Sequence, residues 1–378
     1  MRTVGVEEEL FLVDPESGEP RALSAAVLAR AAKDESGQEV FDKELHNQQL
    51  EFATHPQSDM AELTAEIIRC RQEATRLAQD VGAVVAALAT SPLPARPSIN
   101  VATRYQWMAR EFGLSAQEHV VCGCHVHVAV DSDDEGVAVL DRIRPWLSVL
   151  TALSANSPFW HGKDSEYSSY RSRVWDRWPM AGPTEIFGSA EAYHARVAEM
   201  VATGVLRDEA MIYFDARLSY RYPTVEIRVA DVCLDPDTTV LIAILARGLV
   251  ETAAREKRSG RAPVAHAVSL LRLAAWRAAR SGLDNDLLDP LTMIPRPAED
   301  VVRALLDHVG PALSDSGDLD RARTTAEALL RDGTGARFQR ETLARTGNLS
   351  TVVTECVRRT QAEPTGVRGG PQRGCGPR

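Results

Sequence analysis

No stretch of this chain is apolar for long enough to cross a bilayer: the most apolar run, Val81 to Ala89, is short and rich in Ala and Gly. The opening Met-Arg-Thr-Val-Gly-Val-Glu has no apolar core of the kind a secretory signal carries. Positive charge is outweighed by negative, and a formal net charge of −10 argues against a basic face for nucleic acid or an anionic membrane surface. The six cysteines are scattered rather than arranged as a disulfide framework, which suits a reducing compartment. No internal repeat occurs, and neither do H-E-x-x-H, a P-loop, G-x-G-x-x-G or G-x-S-x-G. What these absences leave is a soluble, acidic protein expected in the cytoplasm.

Its 378 residues are 44% hydrophobic and 25% charged, enough apolar surface for a substantial core. Strands are expected at 3–13, 48–54, 120–130, 211–219 and 223–232, where apolar and polar residues alternate. Helical spacing is expected at 24–33, 59–89 (with Asp59 as N-cap), 137–155, 189–203, 237–258, 263–280, 298–309, 317–332 and 336–360. Residues 156–188 read as a long irregular segment rich in Pro, Gly, Ser and aromatics, the pattern of a lid or binding loop. Hairpin-like strands interrupted by long helices predict an α+β fold, a mostly antiparallel sheet with helices packed on one face and a helical C-terminal part. One catalytic domain over residues 1–362 and a disordered Gly/Pro/Arg-rich tail over 363–378 are the expected organisation.

The segment T-V-G-V-E-E-E-L-F-L-V, Thr3 to Val13, carries three carboxylates inside an otherwise good strand. Alternation sends Glu7 and Glu9 to one side with Gly5, and Glu8 to the apolar side with Val4, Val6, Leu10 and Leu12. Two acidic residues on one face repel, and a bound divalent cation is the simplest compensation. Three further strands repeat the design. Glu51 lies opposite Leu50 and Phe52, with Glu44 seven residues earlier; His125 and His127 share a side with Gly123; Glu226 and Arg228 share a side opposite Val225, Ile227 and Val229. If these strands are neighbours, their polar sides form one floor.

Each strand alone has a plainer reading: a sheet half exposed to water, a pair of surface imidazoles in H-x-H, an ion pair of little consequence in E-x-R. Ordinary aromatic packing on the sheet rim accounts equally well for the 156–188 segment. Recurrence weakens the plain reading, because all four strands carry metal-capable residues on that side. Carboxylates with an imidazole suit Mg²⁺ or Mn²⁺; zinc is awkward, since Cys122 and Cys124 point away from the His pair. Such a floor could hold two or three Mg²⁺ ions under a nucleotide's phosphates, with Arg228 beside the transferring group. Phosphorylating a carboxylate gives an acyl phosphate that an amine can attack, and Tyr167, Tyr170, Arg171 and Arg173 could clamp the substrate carboxylate.

The motif set resembles glutamate–cysteine ligases: G-V-E-E-E at Gly5 to Glu9, L-E-F-A-T with Glu44 upstream, G-C-H-V-H, and V-E-I-R-V-A-D ending at Asp231. S-A-N-S-P-F-W, Ser154 to Trp160, and the Ser169 to Pro179 stretch are similar to the type 2, or carboxylate–amine ligase, branch. That resemblance implies a glutamine-synthetase-like curved sheet binding ATP and Mg²⁺. It further implies Glu7, Glu9, Glu44, Glu51, His125 and Glu226 as metal ligands, with His127 outside that set. Arg228 then serves as the phosphate contact and catalytic residue, and Arg171 and Arg173 as substrate contacts. Its expected partners are a small carboxylate, glutamate first, and an amine such as cysteine; apolar helical surface after residue 237 leaves room for a homodimer. Two other readings stay open: a metal-dependent hydrolase using the same face, and a catalytically inactive ATP-binding protein.

Overall fold

A computed structural model describes residues 1–33 and 40–361; the tail expected at 363–378 and the boundary before it fall outside the described residues. Seven strands form the main sheet: β1 Val4–Val13, β2 Phe41–Lys43, β3 Gln49–Ala53, β4 Val84–Ala86, β5 Gly123–Ala129, β6 Ala216–Leu218 and β7 Thr224–Asp231. Their order is β2-β3-β1-β5-β7-β6, with β4 paired to the end of β1, and every pairing is antiparallel. The four strands with metal-capable residues are therefore consecutive, β3-β1-β5-β7. The fold is α+β, as the pattern of elements predicts.

One side of the sheet is the core. Val4, Val6, Val126, Val128, Val225 and Ile227 are all buried there, under α1 Met60–Gln79 and the long Pro236–Arg258 helix. Glu8 is on this side too and is fully buried. Arg71 of α1 meets it with two parallel bonds of 2.8 Å, and the Thr239 hydroxyl donates a third at 2.5 Å. Arg71 also donates to the Cys233 and Leu234 carbonyls. The middle glutamate of the E-E-E run thus ties β1 to two helices, while its neighbours are freed for the opposite side.

Several elements depart from their expected lengths for identifiable reasons. The helix expected over 59–89 starts as expected, with Asp59 accepting from the Ala61 and Glu62 amides, but stops at Gln79. Gly82 takes φ +74°, a turn that L side chains disfavour, and the apolar run beyond it becomes β4. The 137–155 helix is two helices, Asp133–Ile143 and α2 Leu147–Ser154, around a 3₁₀ turn containing Pro145. Gly347 at φ +67° likewise divides 336–360 into Gly335–Thr346 and Leu349–Thr360. The 156–188 segment contains a short helix, α3 Tyr170–Trp175, that docks against β7.

Candidate active site

Opposite residues in an antiparallel pair share a face, and the register stacks the predicted residues into one row. Glu9 faces Glu51 across β1 and β3, and Glu7 faces His125 across β1 and β5. His127 faces Glu226 across β5 and β7, and Glu226 faces Arg217 across β7 and β6. Among the described residues two groups emerge in which one ligand atom from each residue lies within 4.8 Å of the others: Glu9 with Glu44 and Glu51, and Glu7 with His127 and Glu226. Neither includes Cys122 or Cys124, both of them buried.

The two groups carry opposite electrostatics. Burial and the neighbouring Glu44 push the Glu9 carboxyl up to about 7, even though its oxygen accepts the Gly123 amide at 2.6 Å. Burial and the hydrogen bond with Glu44 hold Glu51 well above the usual carboxylate range. Glu7 goes the other way. Burial opposes its ionisation, but bonds with His125 and His127, each at 3.2 Å, hold it well below that range. Glu226 is lowered too: burial is outweighed by Arg228 and Arg217, the latter donating at 2.7 Å. Burial and the Arg228 charge bring His125 down to about 4, whereas Glu7 raises His127 against its own burial.

Arg228 is held between the rings of Trp175 and Tyr213, at 5.3 and 5.7 Å, and bonds Glu226. Its position depends on an irregularity: Arg228 and Val229 together stand against the single His125, a β-bulge in β7. That extra residue brings Asp231 to the polar side as well. Asp231 is fully buried and accepts the Asn156 amide and the Ser157 and Ser169 hydroxyls at 2.7–2.8 Å. It therefore pins two points of the 156–188 segment to the sheet.

Arg171, on that segment, lies flat over Gly123. A Cβ there would clash with its guanidinium, so any other residue at 123 would displace Arg171. Arg171 and Arg228 both contact the Trp175 ring at 5.3 Å. Arg173 points elsewhere, toward Asp176 at 3.0 Å.

The structure thus brings Glu7, Glu9, Glu44, Glu51, His125, Glu226, Arg171 and Arg228 onto one face, with Arg173 at its margin. His127, outside the ligand set drawn from resemblance, joins Glu7 and Glu226 as a ligand-capable group. Arg217, which the sequence reading does not single out, joins the same face opposite Glu226. The arrangement fits divalent cations: the Glu9, Glu44 and Glu51 carboxylates converge, and among the described residues the buried Nε2 of His125 has no hydrogen-bond partner.

Comparison with known proteins agrees with the geometry. The profile of glutamate-cysteine ligase family 2 matches residues 3–359, and the chain belongs to that family. It is 70% identical over 361 residues to a Streptomyces avermitilis protein named "putative glutamate–cysteine ligase 2-1", covering 96% of this chain and 100% of that one. A Streptomyces coelicolor protein named "putative glutamate–cysteine ligase 2" is 69% identical, with 96% and 100% covered. Among solved structures, the glutamate–cysteine ligase of Francisella tularensis in complex with AMP superposes with TM-score 0.67 at 14% identity, over 95% of this chain and 88% of that one. At that identity the likeness is one of fold.

Proposed function

We propose that this chain uses ATP to phosphorylate the γ-carboxylate of glutamate and passes the acyl group to an amine, cysteine being the leading candidate. At the coarser level, family membership makes it an ATP-dependent carbon–nitrogen ligase acting on a small carboxylate and a small amine. The observation that carries the finer reading is the pair of three-ligand groups lying side by side with Arg228.

Glu9, Glu44 and Glu51 would hold one Mg²⁺ or Mn²⁺, and Glu7, His127 and Glu226 another, with His125 Nε2 free for a third. Bound there, the cations would neutralise the charge of the nucleotide's phosphates. Arg228, fixed by Glu226 and two aromatic rings, is placed to hold the transferring phosphoryl oxygens. The substrate carboxylate oxygen attacks the γ-phosphorus, the bond to the β-phosphate oxygen breaks, and ADP leaves. The amine nitrogen then attacks the acyl carbon, loses a proton, and phosphate departs. Arg171, buried over Gly123, orients the carboxylate, and the 156–188 segment pinned by Asp231 shields the acyl phosphate from water.

The cytoplasm, where ATP is plentiful, is part of the same proposal. So is a homodimer, for which the exposed Leu273 and Trp276 of the Val268–Ser281 helix supply apolar surface; a monomer in sedimentation would remove that element. Neither the hydrolase nor the inactive-protein reading is favoured by the family. The decisive assay measures ADP release with Mg²⁺, ATP and panels of carboxylates and amines. Release that requires both glutamate and an amine is expected. ATP binding with no release for any pair would refute the activity, and product formation without ATP would point to a hydrolase.

A further inference from the structure

Thr224 opens β7, just after the connection at 219–223 that returns the chain from β6. That connection is tied at its base: the Ser219 amide donates to the Thr224 carbonyl at 3.0 Å, and the Thr224 amide to the Tyr222 carbonyl at 2.7 Å. Across β5 and β7, Ala129 faces Thr224 and His127 faces Glu226. Thr224 is therefore the diagonal neighbour of His127, on the side of the sheet that Glu226 occupies. Its hydroxyl stands 3.0 Å from Nδ1 of His127. The other ring nitrogen, Nε2, lies 3.2 Å from a Glu7 oxygen. The Tyr222 ring packs edge-on against the imidazole, with centroids 6.3 Å apart and planes at 88°. The ring is held at one nitrogen and along one side, and its second nitrogen is turned toward Glu7.

A neutral imidazole that binds a cation through one nitrogen keeps its proton on the other. With Nε2 among the ligand-capable atoms, the proton belongs on Nδ1, where it needs an acceptor. Thr224 Oγ1 is the atom in reach. Strand packing gives no reason for that oxygen, since valine has nearly the same shape and β7 already holds valines at 225 and 229. His125 is served differently: its Nδ1 lies 3.2 Å from the other Glu7 oxygen. One histidine of the H-x-H pair leans on a carboxylate, the other on a hydroxyl.

We propose that Thr224 is a positioning residue for a divalent cation: its hydroxyl accepts the Nδ1 proton of His127 and so presents the Nε2 lone pair to the group formed with Glu7 and Glu226. This rests on the metal-binding part of the ligase reading above, and it assigns Thr224 no contact with cation, nucleotide or substrate.

The test measures Mn²⁺ binding to the nucleotide-free protein by calorimetry, comparing wild type with Thr224→Val and Thr224→Ser. Thr224→Val should weaken one class of site by on the order of tenfold to a hundredfold, the usual scale for losing such a support. The other class, at Glu9, Glu44 and Glu51, should stay within about threefold, and Thr224→Ser should recover most of the loss because it restores the oxygen. Thermal unfolding checks that both variants are folded. A second readout needs no variant of Thr224: nitrogen NMR of ¹⁵N-histidine-labelled wild type with Mg²⁺, with the His127 signal assigned from His127→Gln, should show the proton on Nδ1. Unchanged affinity in folded T224V, equal weakening of both classes, a serine variant as weak as valine, or a proton on Nε2 overturns the proposal. Wild type that binds no Mn²⁺ would overturn the metal reading with it, whereas unchanged affinity in T224V beside normal wild-type binding removes Thr224 alone.

Discussion

Replacing Glu9 by glutamine is expected to reduce turnover by on the order of a hundred- to a thousandfold while leaving the metal-free protein folded. The two halves of that expectation have one cause. Glu9 is crowded by Glu44 and buried, so its carboxyl is held up to about 7 and is substantially protonated near neutrality when no cation is present. Glutamine mimics that neutral form, and its oxygen can still accept the Gly123 amide that Glu9 accepts at 2.6 Å. What it cannot supply is the anion that a divalent ion requires. Steady-state ADP release and thermal unfolding on the same preparation check both halves. Turnover within a few-fold of wild type would remove Glu9 from the site, and an unfolded variant would show its role to be structural.

The second expectation concerns pH. A carboxyl whose folded pKa rises from 4.5 to about 7 contributes stability that is fully present below 4.5 and is lost as pH climbs through 7. For Glu9 the full loss is about 3 kcal/mol, at about 1.4 kcal/mol per unit. Other groups titrate across the same range, some with the opposite sign: His125, brought down to about 4, favours the folded state as pH rises toward 6.5. The difference between wild type and Glu9→Gln reports this carboxyl together with its coupling to Glu44 and Glu51. In metal-free solution it should move in the variant's favour by about 2 to 3 kcal/mol between pH 5 and 8. Mg²⁺ should reverse the order at pH 8 by binding the ionised wild-type site, releasing protons as it does so near pH 7. A pH-independent difference would mean that Glu9 is not crowded as the geometry implies.

Much of this site was legible because a strand has period two. That period alone separated Glu7 and Glu9 from Glu8, and placed Glu51, His125, Glu226 and Arg228 opposite their apolar neighbours. Strand order was not legible, since nothing local states that β1 lies between β3 and β5. The bulge at Arg228 and Val229 carries no glycine or proline marker, so Asp231 reads as a core-side residue although it anchors the 156–188 segment from the polar side. Arg217 is hard to read from sequence because β6 has only three residues, too few for a convincing alternation. At the other extreme, Gly82 did mark the end of α1, but the apolar run beyond it, from Ala83 to Ala89, disguised the stop.

Anomalous diffraction from crystals grown with Mn²⁺ and a non-hydrolysable ATP analogue tests the central claim most directly. Peaks are expected within coordination distance of Glu9, Glu44 and Glu51 and of Glu7, His127 and Glu226, with the γ-phosphate against Arg228. Nucleotide bound elsewhere, or Mn²⁺ absent from both groups while the nucleotide is in place, would contradict it.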